Sequence, residues 1–123
     1  MKHNEGFLKL VEEAKSHIHE VSVEQTRARL ASLEAVYLVD VREDNEWEAG
    51  RATGAQHLGK GIIERDIEQA IPDKRAEIIL YCGGGYRSAL AAEALQRMGY
   101  TNVYSMAGGW KAWLEAAAPT EGG

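Results

Sequence analysis

The sequence predicts an α/β domain with a mainly parallel central sheet, for three reasons. β-Branched and aromatic runs alternate along the chain with stretches whose apolar residues recur at helical spacing. Two of these runs, residues 36–41 and 78–81, are almost continuously apolar, which is typical of strands buried on both faces of a parallel sheet. Glycine or proline follows most of the helical stretches, where helices commonly end.

Spacing and capping signals place the individual elements. Apolar residues at helical spacing predict an amphipathic helix in an N-terminal extension, residues 1–20, ahead of a domain over residues 21–119. Ser22 and Gln25 have the form of a capping box and predict a helix from residue 23 to 31. Further helices are predicted over residues 46–49, 61–71, 88–98 and 110–117, and short strands over 54–58 and 102–106.

Composition limits the classes of function. The chain of 123 residues, with 45% hydrophobic and 27% charged residues, suits one folded domain. Its net charge of −5 is spread along the chain without a basic stripe, so nucleic acid is not an expected partner. No apolar run is long enough for a membrane span, and the first residues lack a signal-peptide core. We therefore expect a cytoplasmic protein that binds no membrane.

Cys82, the only cysteine, directly follows the predicted strand 78–81. A single cysteine excludes an internal disulfide, a four-cysteine zinc site and a Cys-x-x-Cys redox pair, and fits a reducing compartment. The residues that follow it are Gly83, Gly84, Gly85, Tyr86, Arg87 and Ser88. Consecutive glycines allow positive φ angles and an anion-binding nest of N–H groups at a helix N-terminus. Together with the charge of Arg87, this setting favours a thiolate and predicts that Cys82 is a nucleophile.

Other polar residues have a structural interpretation beside a functional one. Asp40 and Arg42, at the end of the first buried strand, are expected to form an ion pair or to anchor neighbouring loops. Ser88 suits a helix cap as well as a pocket, and His57 suits a satisfied polar residue near a strand end. The remaining histidines lack metal-ligand spacing: His3, His17 and His19. No metal and no cofactor is therefore expected.

The loop and its surroundings carry a family resemblance. The segment 82–88 after a hydrophobic strand, with Asp-Val-Arg-Glu at 40–43 upstream, resembles the rhodanese-like sulfurtransferase family. Residues 46–55 resemble that family's Glu-aromatic-x-x-Gly-His-Ile-x-Gly-Ala segment, and residues 99–113 resemble its closing strand, turn and helix. The resemblance extends from about residue 22 to residue 118. It implies a five-stranded, mainly parallel sheet with helices on both faces.

The same resemblance implies a two-step sulfur transfer. Cys82 would take a sulfane sulfur from thiosulfate, polysulfide or a persulfide, hold it as a persulfide, and pass it to cyanide, a thiol or an acceptor protein. Loop residues 83–88 would bind the substrate, with backbone N–H groups on the outer sulfur. Gly83 stands where thiosulfate-preferring members often have Arg, and Arg51 and Ala52 replace the usual His-Ile pair. Since the chain has no second cysteine, the acceptor must come from outside.

Two alternatives remain at this point. Rhodanese-like phosphatases and arsenate reductases usually have five residues between Cys and Arg, to hold a tetrahedral oxyanion. Four residues separate Cys82 from Arg87, which favours a single sulfur atom. The other alternative is a non-catalytic sulfur carrier or partner-binding module, against which the presence of a cysteine in the loop argues.

Overall fold

A computed structural model describes residues 2–32 and 34–123 and contains both helices and strands in alternation. The helices are α1 (Glu5–Lys15), α2 (Val23–Ala31), α3 (Asp44–Ala49), α4 (Ile63–Ala70), α5 (Tyr86–Arg97) and α6 (Gly109–Glu115). The strands are β1 (His19–Val21), β2 (Val36–Asp40), β3 (Arg51–Ala52), β4 (Gln56–His57), β5 (Glu77–Tyr81), β6 (Val103–Met106) and β7 (Thr120–Glu121). Across this part of the chain, no helix has the length and apolar character needed to cross a bilayer.

Five strands form one parallel sheet in the order β1-β6-β5-β2-β4, which confirms the predicted sheet. Strands β3 and β7 form a separate antiparallel pair. In the centre of the large sheet Asp40 lies in register with Tyr81, so β2 and β5 end at the same edge. Ligands of parallel sheets bind beyond this carboxyl edge, where the chain continues into Val41 and Cys82.

Strand β1 is the one member of the large sheet that the residue pattern did not locate. Only Val21 of its three residues is buried, and it pairs with β6 at the edge of the sheet. A three-residue edge strand with one buried position shows neither alternation nor an apolar run. It also spans residue 20, where we predicted the extension to meet the domain, and that boundary stays a prediction.

The central strand β5 divides the core into two hydrophobic clusters. Ile78 and Leu80 belong to the cluster that α4 and α5 cover, whereas Ile79 and Tyr81 belong to the cluster that contains Trp113 of α6. Successive side chains of a strand point to opposite faces, so this division follows from the strand geometry. Helices therefore cover both faces of the sheet, as predicted.

Asp40 and Arg42 form a buried ion pair at the carboxyl edge, with exposed fractions of 0% and 3%. Arg42 donates from Nη2 to Asp40 Oδ2 at 2.8 Å and from its backbone N–H to Oδ1 at 2.9 Å. The same Nη2 donates to the Gly50 carbonyl at 2.6 Å, and the guanidinium lies 4.6 Å from the ring centre of Trp110. The pair thus connects β2 with the end of α3 and with α6.

We predict that Arg42→Met lowers the free energy of unfolding by about 3–5 kcal/mol, because it leaves the Asp40 carboxylate buried without a cationic partner. Urea denaturation at pH 7 measures the loss. Arg65→Met is the matched control, since Arg65 pairs with Asp66 at the surface and its removal should leave stability unchanged. Equal effects of the two substitutions would contradict the prediction.

Candidate active site

Cys82 lies at the junction of β5 and α5, at the base of a cleft. Its side chain is 1% exposed, and Sγ accepts a hydrogen bond from the backbone N–H of Gly85 at 3.1 Å. Gly85 has a left-handed conformation with φ of 96° and is the N-cap of α5. The first turn of a 12-residue helix therefore begins beside the sulfur. The positive end of the helix dipole therefore lies beside Sγ.

Among the three loop glycines, only Gly85 has a left-handed backbone. A Cβ atom on Gly85 would lie 3.2 Å from the backbone nitrogen of Gly108, whereas one on Gly84 would meet no atom within 4 Å. A Cβ atom on Gly83 would lie 3.1 Å from Nη2 of Arg87. The sequence suggested positive φ angles for the loop glycines, and the structure shows one at Gly85 alone. The absence of a side chain at Gly83 leaves space for the Arg87 guanidinium.

The first turn of α6 supports the loop from behind. The N–H of Trp110 donates to the Cys82 carbonyl at 2.7 Å, and the N–H of Lys111 donates to the Gly83 carbonyl at 3.1 Å. A Cβ atom on Gly109 would collide with the Cys82 carbonyl, so this close approach requires glycine. Both carbonyls are therefore fixed on the side of the loop that faces α6.

Two buried hydroxyl groups lie next to the Cys82 sulfur. Ser88 Oγ is 3.5 Å from Sγ and 2.8 Å from Oγ of Ser105 on β6, and both serines are fully buried. A hydroxyl group both donates and accepts hydrogen bonds, so Ser88 accepts one from a thiol and donates one to a thiolate. Ser88 lies within α5 rather than at its cap, and Ser105 gave no signal in the sequence.

Arg87 forms an ion pair with Glu46 of α3 and also lies near Cys82. Its Nη1 and Nη2 atoms lie 2.7 and 3.1 Å from the two carboxylate oxygens. Hydrogen bonds from Arg87 lower the pKa of Glu46, and the carboxylate raises the pKa of Arg87. Sequence reasoning missed this partner, although Glu46 opens the family-like segment 46–55.

The cleft in front of Cys82 has a volume of about 500 Å³. Its lining consists of Lys2, His3, Asn4, Phe7, Glu46, Cys82, Gly84, Tyr86 and Arg87. The His3 ring packs edge-on against Tyr86, with 4.8 Å between the ring centres. Residues 2–7 therefore form one wall of the cleft. The helical periodicity identified the buried face of α1 but contained no signal for this position.

The structure places the other predicted residues outside the cleft. Asp40 and Arg42 lie behind it as a buried pair, and His57 hydrogen bonds through Nε2 to the Arg42 carbonyl at 2.9 Å. The His57 ring also stacks on Trp47 with 4.8 Å between the ring centres. Among the residues that the structure describes, no group of three His, Cys, Asp or Glu side chains is arranged to hold a metal ion.

A five-stranded parallel sheet with a cysteine loop between β5 and α5 defines an α/β protein of the rhodanese type. Residues 22–116 match the family described as Rhodanese-like domain. The chain belongs to this family.

Three curated proteins illustrate the relationship. The uncharacterized protein YqhL and the putative sulfur carrier protein YrkF, both from Bacillus subtilis, are 37% and 30% identical over 62% and 80% of this chain. The chain spans only 59% and 52% of the lengths of these two relatives. Thiosulfate sulfurtransferase GlpE from Shewanella oneidensis is 33% identical over 84% of this chain and 99% of its own.

Two solved structures are similar over nearly the whole chain. The polysulfide-sulfur transferase homodimer from Wolinella succinogenes has a TM-score of 0.82 and 26% identity over 96% of this chain and 88% of that chain. A protein from Rhodopseudomonas palustris, described as a possible tyrosine phosphatase, has a TM-score of 0.82 and 29% identity over 98% of both chains.

We predict that Gly85→Ala destabilises the protein by about 1–3 kcal/mol, because alanine must adopt a left-handed backbone there and its methyl group crowds Gly108. Gly84→Ala is the matched control one residue earlier, where the added methyl group contacts nothing within 4 Å. Thermal unfolding of both variants measures the difference. Similar midpoints of thermal unfolding for the two variants would show that position 85 accepts alanine without strain and would contradict the prediction.

We predict that Glu46→Gln lowers the free energy of unfolding by up to about 1 kcal/mol at pH 7, the usual range for a partly exposed pair. Arg87 holds the pKa of Glu46 below its ordinary value of 4.5, so the contribution is complete above that pH. It is lost as the pH falls through the lowered pKa and Glu46 becomes protonated. The advantage of the wild type over the variant should therefore be smaller at pH 3 than at pH 7, because pH 3 lies below the ordinary pKa of 4.5 at which the unfolded chain takes up the proton.

Urea titrations at the two pH values provide the measurement. Glu48→Gln, which removes an exposed carboxylate from the same helix, is the control and should show no comparable change with pH. A wild-type advantage of the same size at pH 7 and pH 3 would argue that Glu46 stabilises the fold through packing rather than charge.

Proposed function

We propose that this protein is a sulfurtransferase that holds a sulfane sulfur on Cys82 as a persulfide. Membership in the rhodanese-like family supports the class of reaction. The observation that supports Cys82 as the reacting residue is the hydrogen bond from the Gly85 N–H to Cys82 Sγ at the N-terminus of α5. The sulfur in that position accepts a backbone hydrogen bond and lies at the base of the cleft, where a substrate can reach a nucleophile.

The first half-reaction loads the sulfur. The Cys82 thiolate attacks the outer sulfur of thiosulfate, a new S–S bond forms to Cys82, and the S–S bond of thiosulfate breaks. Sulfite leaves with the electron pair, and Cys82 carries an outer sulfur with a negative charge. Polysulfides and organic persulfides react in the same way, with a shorter polysulfide or a thiolate as the leaving group. No net oxidation or reduction by an outside reagent is needed.

The second half-reaction returns the thiolate. Cyanide, a thiolate or the cysteine of an acceptor protein attacks the outer sulfur, and the S–S bond to Cys82 breaks with its electron pair on Cys82. The Gly85 N–H and the Ser88 hydroxyl then stabilise the thiolate as it forms. Because the reaction regenerates the starting charge on Cys82, the same hydrogen bonds serve both half-reactions.

An oxyanion phosphatase or reductase is the less favoured alternative. Such an enzyme needs its loop arginine to bind the oxygens of a tetrahedral substrate. Both terminal nitrogens of Arg87 bind Glu46, so an oxyanion would have to displace a carboxylate to reach them. The relative described as a possible tyrosine phosphatase makes this alternative worth testing directly.

We predict that intact-mass analysis after incubation with thiosulfate shows a gain of one sulfur atom in the wild type and none in Cys82→Ala. Subsequent cyanide should remove that sulfur and release thiocyanate in equal amount. Arg65→Met, a surface substitution, is the control and should load as the wild type does. The cytoplasmic location and the expected acceptors, a thiol, cyanide or an acceptor protein, stay predictions.

Other results would decide against the proposal. Absence of an adduct with thiosulfate, polysulfide and an organic persulfide would refute it. An adduct that neither cyanide nor thiols remove would favour a non-catalytic module, and hydrolysis of an aryl phosphate that requires Cys82 would favour the oxyanion enzyme.

A further inference from the structure

The cleft in front of Cys82 is much larger than an inorganic sulfur donor. Its volume is about 500 Å³. Thiosulfate, with five atoms, fills roughly the space of three water molecules at about 30 Å³ each. Clefts of roughly 300–1,000 Å³ are typical of sites for organic ligands. The cleft therefore has room for an organic molecule beside the sulfur on Cys82.

Aromatic rings form the apolar part of this cleft. The half-buried rings of Phe7 and Tyr86 both line it, and the His3 ring packs against both, with its ring centre 5.2 Å from that of Phe7 and 4.8 Å from that of Tyr86. The ammonium group of Lys15 lies 5.1 Å from the centre of the Tyr86 ring and so helps to hold α1 against α5. Such a wall suits the methylene groups of a ligand.

The charged part of the lining is positive at its exposed rim. Glu46 and Arg87 neutralise each other, since each carboxylate oxygen binds one guanidinium nitrogen. Lys2 is exposed and makes no salt bridge with any residue in the described ranges 2–32 and 34–123. Its ammonium group and the neighbouring Asn4 amide are hydrogen-bond donors suited to a carboxylate.

We infer that the cleft binds a small organic thiol with a carboxylate group as the acceptor of the Cys82 sulfur. Lys2 binds the carboxylate, and Phe7 and Tyr86 contact the methylene groups, so the thiol is directed toward Cys82. The inference rests on the proposed function. The acceptor thiolate attacks the outer sulfur, a new S–S bond forms, and the Cys82 thiolate leaves with the electron pair of the broken bond. The product is the persulfide of the acceptor.

The role of Lys2 is tested with two acceptors that differ in charge, 3-mercaptopropionate and 3-mercaptopropionamide. Protein loaded with thiosulfate and freed of excess donor is mixed with each thiol, and loss of the sulfur from Cys82 is followed by intact mass. Lys2→Met should lower the rate ratio of acid to amide by about two- to fivefold, the effect of one partly exposed charge. Lys9→Met, on α1 but outside the cleft lining, should leave the ratio at the wild-type value.

The role of the aromatic wall is tested with the same two thiols and cyanide. Phe7→Ala should slow transfer to both thiols by about fourfold relative to cyanide, the effect expected from losing contact with about one methylene group. Leu8→Ala, which truncates the next residue of α1 outside this lining, should not change the thiol-to-cyanide ratio.

The outcomes separate this inference from the proposed function. The inference would be refuted if Cys82 is loaded but Lys2→Met leaves the acid-to-amide rate ratio unchanged. It would also be refuted if Lys9→Met changes that ratio as much as Lys2→Met does. Either result would leave the proposed function standing. Absence of loading in the wild type with thiosulfate, polysulfide and an organic persulfide would refute the proposed function itself.

Discussion

Two backbone hydrogen bonds from the first turn of α6 to the carbonyls of Cys82 and Gly83 are the contacts on which the site depends. They fix the loop from the side opposite the cleft and leave the Gly85 N–H directed at the sulfur. The same helix places Trp113 in the core. The loop geometry is therefore tied to core packing, and little of it depends on the loop's own side chains.

Elements with strong local signals were predictable, and those that depend on a partner were not. The apolar runs of β2 and β5 identified the centre of a parallel sheet, and the capping box at Ser22 identified the start of α2, where the structure shows both of its hydrogen bonds. Strands β1, β3 and β7 have two or three residues each. Such short strands exist because a neighbouring strand offers hydrogen bonds, which a local pattern does not record.

The residues of the candidate site also fall into a group that the local sequence indicated and a group that it did not. The loop around Cys82 is continuous in sequence, so residue types alone indicated its place at a strand end and the start of α5. The partners of that loop are distant along the chain: Arg87 lies 41 positions after Glu46, and Ser105 lies 17 positions after Ser88. The N-terminal wall of the cleft follows from the packing of α1 on α5. Amphipathic spacing predicts which face of α1 is buried, but it does not predict the element against which that face packs. The family resemblance supplied the five-stranded sheet that the pattern alone left incomplete.

The depth of Cys82 has a consequence for the lifetime of a bound sulfur. A persulfide is readily oxidised and readily exchanges with any thiol that reaches it. Cys82 is 1% exposed, and residues 2–7 form one wall of the cleft that leads to it. Under the proposed function, this burial slows the reaction of a Cys82 persulfide with oxidants, while the cleft admits the sulfur donor and the acceptor.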